Sequence, residues 1–387
     1  MKNRAGNEGP DTESRRKRRC SAGRSLPLGS WRVILVAIGA GVFGCSGDDP
    51  AQPDPIDPGP PGIWTEESLP DGLDSTLLLD VAARGTYVVA VGARTSDHRA
   101  IGLERTESGW ATLAIPELPD ETVLSAVALT EAGVPIYVGT TIDGNGRARP
   151  IVVDERQSPA VVVFETAGNA GLASVAVGGG TVMAAGVAGG GFAARSVDGG
   201  PWSPVPLSLD QQEIGLYDIQ YANGRFLACG FDDGGPPYSI VATYDQGVWT
   251  MQEVPGVNLD ARSVLETPDG TLLVGGRRAD GSGGPDLAFL QARAPGTAAW
   301  TALVIPGSPR PASVQDLHMS GTGSVTAALV GTSGGTTGGG VVRDARIEYE
   351  LEGGIYAVAE DENGKLYAAG YEGSAPDVRP VLLVLEP

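Results

Sequence analysis

Few residues in this sequence have the types and spacing that catalysis or metal binding requires. The chain has two histidines, His98 and His318, and three cysteines, Cys20, Cys45 and Cys229. Neither histidine has a metal-ligand spacing, and no HExxH, Gly-x-Ser-x-Gly or paired-cysteine motif occurs. His98 is predicted to be a solvated loop residue, and Cys229, in an apolar segment, a buried and unreactive thiol. No catalytic residue is therefore assigned.

Acidic residues offer the best candidates for binding an ion. Asp80, Asp218 and Asp316 each precede an apolar residue of a predicted strand, and strand alternation aims all three at a common channel. Three carboxylates there could hold a cation, although a wet polar channel explains the same residues and is the preferred interpretation. Asp-Gly and Asn-Gly segments at 143–145, 232–234 and 280–282 could likewise give oxygens to Ca²⁺. Ordinary turn chemistry explains these segments without an ion and is again preferred.

A repeat must position these residues. From residue 63 onward, short apolar runs rich in Val, Thr and Ile alternate with Gly, Asp, Asn and Pro, which predicts an all-β domain. One glycine ends a strand in each repeat, with successive spacings of 47, 47, 44, 46, 55 and 39 residues: Gly92, Gly139, Gly186, Gly230, Gly276, Gly331 and Gly370. Seven units of about 46 residues are typical of a β-propeller built from four-stranded blades.

Tryptophans mark the outermost strand of five units. They are Trp64, Trp110, Trp202, Trp249 and Trp300. The last unit stops after its third strand, whereas residues 63–70 have the fourth-strand pattern with no unit before them. The sequence therefore predicts a seven-bladed β-propeller of four-stranded antiparallel blades over residues 63–387, in which the N-terminal strand completes the last blade. Such closure removes an open strand edge.

Turns before the tryptophans resemble motifs of known propeller families. The segment with Ser196, Asp198, Gly200 and Trp202 resembles a shortened Asp-box of sialidase-like (BNR) repeats. The segment with Asp245, Gly247 and Trp249 and the segment with Gly109 and Trp110 are weaker copies. The Gly275-Gly276 pair resembles kelch repeats instead. The resemblance implies a structural role, in which the aspartate accepts backbone N–H bonds and the tryptophan packs between blades.

Sialidase-like activity is the enzymatic alternative that this resemblance raises. Such an enzyme needs an arginine cluster for the substrate carboxylate, and a tyrosine nucleophile with a glutamate partner. Arg94, Arg149 and Arg278 lie on loops of one face, but the family's Phe/Tyr-Arg-Ile-Pro motif is absent. A non-catalytic protein is therefore preferred over a glycan hydrolase.

Residues 1–44 are predicted to be a signal peptide. A basic stretch precedes the uncharged apolar run from Val33 to Gly44, which is too short to cross a bilayer as a mature helix. Val42-Phe43-Gly44-Cys45 resembles the bacterial lipobox, which implies that Cys45 carries lipid; Ser46 favours the outer membrane. Residues 45–62 form a Pro/Asp-rich linker. It would rise ~3.1 Å per residue and hold a domain away from the bilayer.

The net charge of the protein limits which partners it can bind. The chain has 47 acidic and 27 basic residues, a net charge of −20. Residues 1–44 hold three of the acids and nine of the bases, so the remainder carries about −26. Such a surface repels nucleic acid. We expect a monomer whose protein or glycan ligand binds the loops between second and third strands, since binding residues tend to lie on loops of a rigid scaffold. The predicted function is a lipid-anchored binding or scaffolding protein of the bacterial envelope. A membrane-complex assembly factor is a further alternative, by fold analogy alone.

Overall fold

The computed structural model describes residues 62–188, 191–207, 214–232, 238–256, 258–279, 285–305, 312–331, 339–344, 346–374 and 377–387. Within these ranges the chain forms 28 β-strands and no helix. The all-β prediction is confirmed. These ranges contain no helix that is long and apolar enough to span a membrane.

The strands of the described residues pair into three four-stranded and two eight-stranded antiparallel sheets. Each eight-stranded sheet consists of two four-stranded units joined by one residue pair, Val187 with Gly215 or Val330 with Gly354. The seven four-stranded units that result are called the first to the seventh sheet below. The first strand of the chain, β1 (Trp64–Glu66), belongs to the seventh sheet. The first sheet contains β2 (Thr76–Arg84), β3 (Tyr87–Arg94), β4 (Ala100–Thr106) and β5 (Gly109–Thr112). The second contains β6 (Thr122–Leu129), β7 (Pro135–Ile142), β8 (Ala148–Asp154) and β9 (Val161–Val163). The third contains β10 (Ala170–Gly178), β11 (Thr181–Ala188), β12 (Phe192–Val197) and β13 (Ser203–Val205).

The remaining sheets follow the same order from the innermost to the outermost strand. The fourth contains β14 (Ile214–Ala222), β15 (Arg225–Asp232), β16 (Tyr238–Asp245) and β17 (Val248–Val254). The fifth contains β18 (Leu259–Glu266), β19 (Leu272–Arg278), β20 (Leu287–Arg293) and β21 (Thr301–Ala302). The sixth contains β22 (Ala312–Met319), β23 (Val325–Gly331), β24 (Gly339–Arg343) and β25 (Arg346–Leu351). The seventh contains β26 (Gly353–Glu360), β27 (Leu366–Glu372), β28 (Arg379–Leu385) and β1.

The sheets form a closed ring around their innermost strands. Each of β2, β6, β10, β14, β18 and β22 contacts the next, and β26 contacts both β22 and β2. The two chain ends meet in the seventh sheet, where Trp64 pairs with Leu385 and Glu66 with Leu383. The predicted closure by the N-terminal strand is therefore confirmed.

A β-bulge recurs near the start of every innermost strand. The register shifts by one residue at the same place in all seven sheets, and the extra residues are Leu79, Ser125, Ala173, Tyr217, Arg262, Gln315 and Tyr356. In six sheets the recurring glycine pairs with the residue just before this bulge. A Cβ atom on Gly92 or Gly230 would lie 1.8 Å from a backbone carbonyl oxygen of the innermost strand. The glycine recurs because the bulged strand leaves no room for a side chain.

The sixth sheet departs from the predicted alignment. Gly331 pairs with Ala312, two residues before the usual position, and Leu329 pairs with Val314 next to the bulge. Counted from Leu329 instead, the two spacings are 53 and 41 residues, so the offset accounts for two residues of each irregular spacing. Gly331 therefore does not mark the same structural position as the other six glycines.

Three of the recurring tryptophans contact the preceding sheet. Trp64 in the seventh sheet donates from Nε1 to Glu348 Oε2 of the sixth, at 2.9 Å. Trp202 in the third sheet donates to Asp154 Oδ2 of the second, at 3.0 Å. Trp110 of the first sheet lies edge-on against Tyr367 of the seventh, with ring centroids 6.5 Å apart. These side chains bury large apolar area between neighbouring sheets, which cannot bury their faces alone.

Candidate functional site

Aspartates at equivalent positions link neighbouring innermost strands, which form the inner wall of the ring, by hydrogen bonds. Asp80 accepts hydrogen bonds from the backbone N–H of Val81 and, in the next sheet, of Val127, both at 2.9 Å. Asp316 accepts from Leu317 N at 3.0 Å and from Val358 N of the next sheet at 3.1 Å. Each carboxylate thus satisfies a backbone donor of the neighbouring innermost strand.

Asp218 connects three sheets. Its carboxylate accepts from Ser174 Oγ of the third sheet at 3.0 Å, and from Ser263 Oγ and Val264 N of the fifth at 3.2 and 3.1 Å. The residue is 4% exposed. All three aspartates therefore have a structural role that requires no ion. Among the described residues, no three His, Cys, Asp or Glu side chains group closely enough to hold a metal. A channel cation on Asp80, Asp218 and Asp316 stays a prediction.

A glutamine reaches across the channel below the bulges. Gln220 Nε2 of the fourth sheet donates to the carbonyl oxygen of Leu317 in the sixth sheet, at 3.2 Å. The two residues belong to sheets that are not neighbours. The bond links the innermost strands of the fourth and sixth sheets directly, past the intervening fifth sheet.

The loop-bearing end of the ring, here called the rim, is the end where second strands run on to third strands and fourth strands to the next sheet. The fourth and fifth sheets build a polar and aromatic cluster there. We name it the rim cluster: Tyr217, Phe231, Asp260, Arg262, Arg277 and Asp286. The bulges of β14 and β18 supply Tyr217 and Arg262. Bulges commonly re-aim side chains near functional sites.

Stacking and ion pairing hold the rim cluster together. The guanidinium of Arg262, a residue only 3% exposed, lies 3.6 Å from the ring centroid of Tyr217. On the other side, the Phe231 ring lies 5.4 Å from Tyr217. Asp260 Oδ2 accepts from Nε of both Arg262 and Arg277, at 3.1 and 2.8 Å. Arg277 also donates from Nη1 to Asp286 Oδ2 at 2.7 Å.

The electrostatics of the rim cluster suit positioning better than reaction. Burial raises the pKa of Tyr217 to about 12, even though the charges of Arg262 and Arg277 oppose that rise. Burial is the largest single effect on Arg277 and acts to lower its pKa, but the charges of Asp260 and Asp286 and the hydrogen bond to Asp260 together outweigh burial, and the pKa is raised. Tyr217 is consequently protonated at neutral pH and is a poor nucleophile. The two guanidiniums are already matched by carboxylates.

The arginines considered for a substrate carboxylate lie in three different sheets. Arg94 donates to Asp97 at 3.2 Å. Arg149 is buried and bound to Asp143 Oδ2 through Nε, at 3.0 Å, and to the Thr166 carbonyl. Arg278 is exposed at the end of β19. Arg94 and Arg149 are therefore already engaged by residues of their own parts of the rim.

The first of the three segments considered for Ca²⁺ is an internally bonded turn. Asp143 Oδ1 accepts from the backbone N–H of Asn145 and Arg147, at 2.9 and 3.0 Å. The bond from Arg147 contributes most to lowering the pKa of Asp143. Its other oxygen binds Arg149. The segment 280–282 and residues 233–234 lie outside the described residues.

A concave surface lies on the rim at the ring closure. It is a cavity of about 600 Å³ between the connection from β1 to β2 and the start of β28. Its lining includes Glu66, Glu67, Asp71, Asp74 and Arg379. Arg379 pairs with Glu66 and Glu372, and these hydrogen bonds raise its pKa. The cavity is thus acidic apart from one guanidinium that is already paired.

The Asp-box-like residues lie at the end of the ring opposite the rim. Ser196 Oγ donates to the carbonyl of Gly200 at 2.6 Å, and Gly200 N donates to Val197 O at 2.8 Å. Asp198 is exposed with a φ of 50°, a turn conformation that Asp tolerates. Among the described residues we find no backbone N–H donating to its carboxylate. Trp202 packs against the second sheet through its bond to Asp154.

The two weaker copies also form tight turns between third and fourth strands. Gly247 has a φ of 92° and follows Gln246 at 49°, between Asp245 and Val248, which pair with each other. Trp249 is buried, with its ring 5.1 Å from that of Tyr244. Gly109 has a φ of 115° and is followed by the buried Trp110.

The histidines and the cysteine of the domain lie outside the rim cluster. His98 is exposed in a loop with a φ of 53°. His318 Nε2 lies 3.5 Å from Glu360 Oε2 across the seam between the sixth and seventh sheets. Cys229 is fully buried and forms no disulfide. The predicted lipid-attachment residue, Cys45, and the segments 1–44 and 45–61 lie outside the described residues.

Comparison with solved structures decides the fold class. The chain matches the WD40 beta propeller domain of Doa1 with a TM-score of 0.51 and 12% identity, over 83% of this chain and 96% of that chain. The chain folds as a WD40-like β-propeller. At this identity the similarity concerns the fold alone. Comparisons with protein-family models and with curated proteins give no match.

Sequence reasoning missed the central members of the rim cluster. Tyr217 directly precedes Asp218, which the sequence placed correctly on an innermost strand, and Arg262 holds the equivalent bulge position in the next sheet. An extra residue in a strand disturbs the two-residue alternation from which facing is inferred. A tyrosine and an arginine at the same repeat position in consecutive units were the available signal.

Proposed function

We propose that this protein is a lipid-anchored, non-catalytic binding or scaffolding propeller of the bacterial envelope. We propose further that the rim of the fourth and fifth sheets is its ligand surface. The observation that carries the proposal is the rim cluster. Stacking fixes Tyr217 and Arg262, and carboxylates pair with Arg262 and Arg277. This arrangement favours a preorganised binding surface over a reactive group.

The composition of this surface supports binding to a protein. Tyrosine and arginine are enriched at the energetic centres of protein interfaces. Tyr238 and Arg278 are exposed at the ends of β16 and β19 on the same rim, and Tyr238 is 37% exposed. The fixed cluster behind them gives these two side chains a rigid support.

Affinity capture tests the proposed ligand surface. The full chain is recovered from detergent-solubilised membranes, and its co-purifying proteins are identified by mass spectrometry. We expect the captured partner to be lost when Tyr238→Ser and Arg278→Ser are combined. Val197→Ser, an exposed apolar residue at the opposite end of the ring, serves as the control and should retain the partner. Equal capture by both variants would contradict the assignment of the rim.

Lipid attachment is tested separately. Cys45→Ser should move the protein from the membrane fraction to the soluble fraction, and the N-terminal peptide of the wild type should carry the mass of acyl chains. A wild-type N-terminus without lipid would refute the anchor and leave the ligand surface standing.

A further inference from the structure

One outermost strand of the ring differs from the others in length and regularity. Among the described strands, β1, β5, β9, β13 and β21 have two to four residues, whereas β17 has seven. β25 has six residues, but its register is interrupted by a bulge and it carries Arg346, Glu348 and Glu350. β17 pairs with β16 without interruption, contains no proline and has one charged residue, Glu253. It therefore lacks the usual protections of an edge strand.

The hairpin geometry identifies the backbone groups that point outward. Gln246 and Gly247 form a two-residue turn with positive φ at both positions, so Asp245 and Val248 form the closing hydrogen-bonded pair. Pairing then alternates along the strand. Val248, Thr250, Gln252 and Val254 bond inward to β16, and Trp249, Met251 and Glu253 direct N–H and C=O groups away from the sheet. Within the described residues, no backbone bond reaches this outer edge.

We infer that the β17 edge accepts an extended segment of another protein, with an uncharged centre and a basic residue at each end. Asp245 and Glu253, both exposed, lie near the two ends of β17. Val248 and Glu253 are five residues apart, about 17 Å along a strand. Neighbouring Arg293 is held on the face of the fifth sheet, bound to Gln252 and 5.3 Å from the Trp300 ring centroid.

Two other occupants fit this edge poorly. Residues 46–61 of the same chain contain six prolines and four aspartates, which cannot supply a regular ladder of donors and would repel Glu253. A second copy of the chain carries the same net charge of −20 and is disfavoured by repulsion. A basic strand from a different protein gains both main-chain hydrogen bonds and charge complementarity.

Hydrogen exchange on the full chain tests the inference. The probe is the peptide Lys-Thr-Val-Thr-Val-Lys, with Glu-Thr-Val-Thr-Val-Glu as its acidic counterpart. At ten times the dissociation constant of the lysine peptide, we expect the outward amides of Trp249, Met251 and Glu253 to exchange about tenfold more slowly. The acidic peptide should leave their exchange unchanged.

Charge reversal keeps the test independent of folding. Glu253→Lys should weaken the lysine peptide by about fivefold, because an exposed ion pair contributes up to about 1 kcal/mol. Glu107→Lys, an exposed site on the first sheet, is the matched control and should bind as wild type. The inference is overturned if about 1 mM peptide gives no protection, or if both peptides protect equally. Concentration-dependent protection without peptide would overturn it in favour of a second copy.

Discussion

Asp218→Ala is expected to destabilise the ring more than any exposed substitution. It removes one acceptor shared by Ser174, Ser263 and Val264, all on the inner wall. The serine hydroxyls can rotate, but the Val264 N–H cannot. A net hydrogen bond to a charged group contributes about 1.5–3 kcal/mol, and part of that gain is offset by the cost of burying the carboxylate. We expect a loss of about 1–3 kcal/mol in the free energy of unfolding, because the Val264 N–H is left buried without its acceptor.

Denaturant unfolding followed by tryptophan fluorescence measures this loss. Asp120→Ala, whose side chain is 94% exposed, is the control and should change stability by less than about 0.5 kcal/mol. The double variant Asp218→Ala, Ser174→Ala should lose less free energy of unfolding than the two single variants lose in total, because both substitutions remove the same hydrogen bond. A loss below about 1 kcal/mol for Asp218→Ala would refute the bridging role. A lower wild-type melting temperature in chelator would show that an ion, and not hydrogen bonding alone, engages the carboxylates.

Three further predictions concern the joints between strands. Gly230→Ala should unfold or strongly destabilise the ring, since its Cβ would meet the Gly215 carbonyl at 1.8 Å; Gly144→Ala, with open space around it, should be close to neutral in the same thermal melts. The pKa of Asp154 is lowered: burial acts to raise it, but hydrogen bonds from Arg156 and Trp202 outweigh burial. Its stabilisation is therefore complete above the unfolded value of 3.8 and is lost as the pH falls through the lower folded value, so Asp154→Asn should destabilise at pH 7 and much less at pH 3 in urea titrations. Trp64→Ala should lower the free energy of unfolding by about 3–5 kcal/mol and expose the edge of β28. Ile63→Ala, the control at an 82% exposed residue, should have little effect. Equal melting temperatures for the two variants would contradict the importance of the closing strand.

The architecture was predictable because residues with strict conformational and packing requirements recur through the repeat. Gly92, Gly139, Gly186, Gly230 and Gly370 recur since a carbonyl of the bulged strand occupies the space of a side chain. The fourth-strand pattern at Trp64 revealed the closure for a similar reason, as the tryptophan must fill the space beside the preceding sheet. Local requirements that recur at regular spacing can be recognised from the sequence without a structure.

The site was less predictable because it depends on departures from regularity. Tyr217 and Arg262 meet only because two neighbouring strands are bulged at the same height. Asp80, Asp218 and Asp316 were placed correctly on the innermost strands, but each also binds a backbone N–H group of an adjacent sheet, and such a donor carries no signature in the side-chain sequence. Lipid attachment at Cys45 and the outer-membrane address stay predictions.

Joining the first and last strands has a consequence for biogenesis. The pairing of Thr65 with Val384 links residues 319 positions apart, so no nascent chain can complete it before β28 has been synthesised. A prematurely terminated product keeps β1 without its partner and an unfinished seventh sheet. Such fragments carry an open hydrogen-bonding edge, which favours their association with one another.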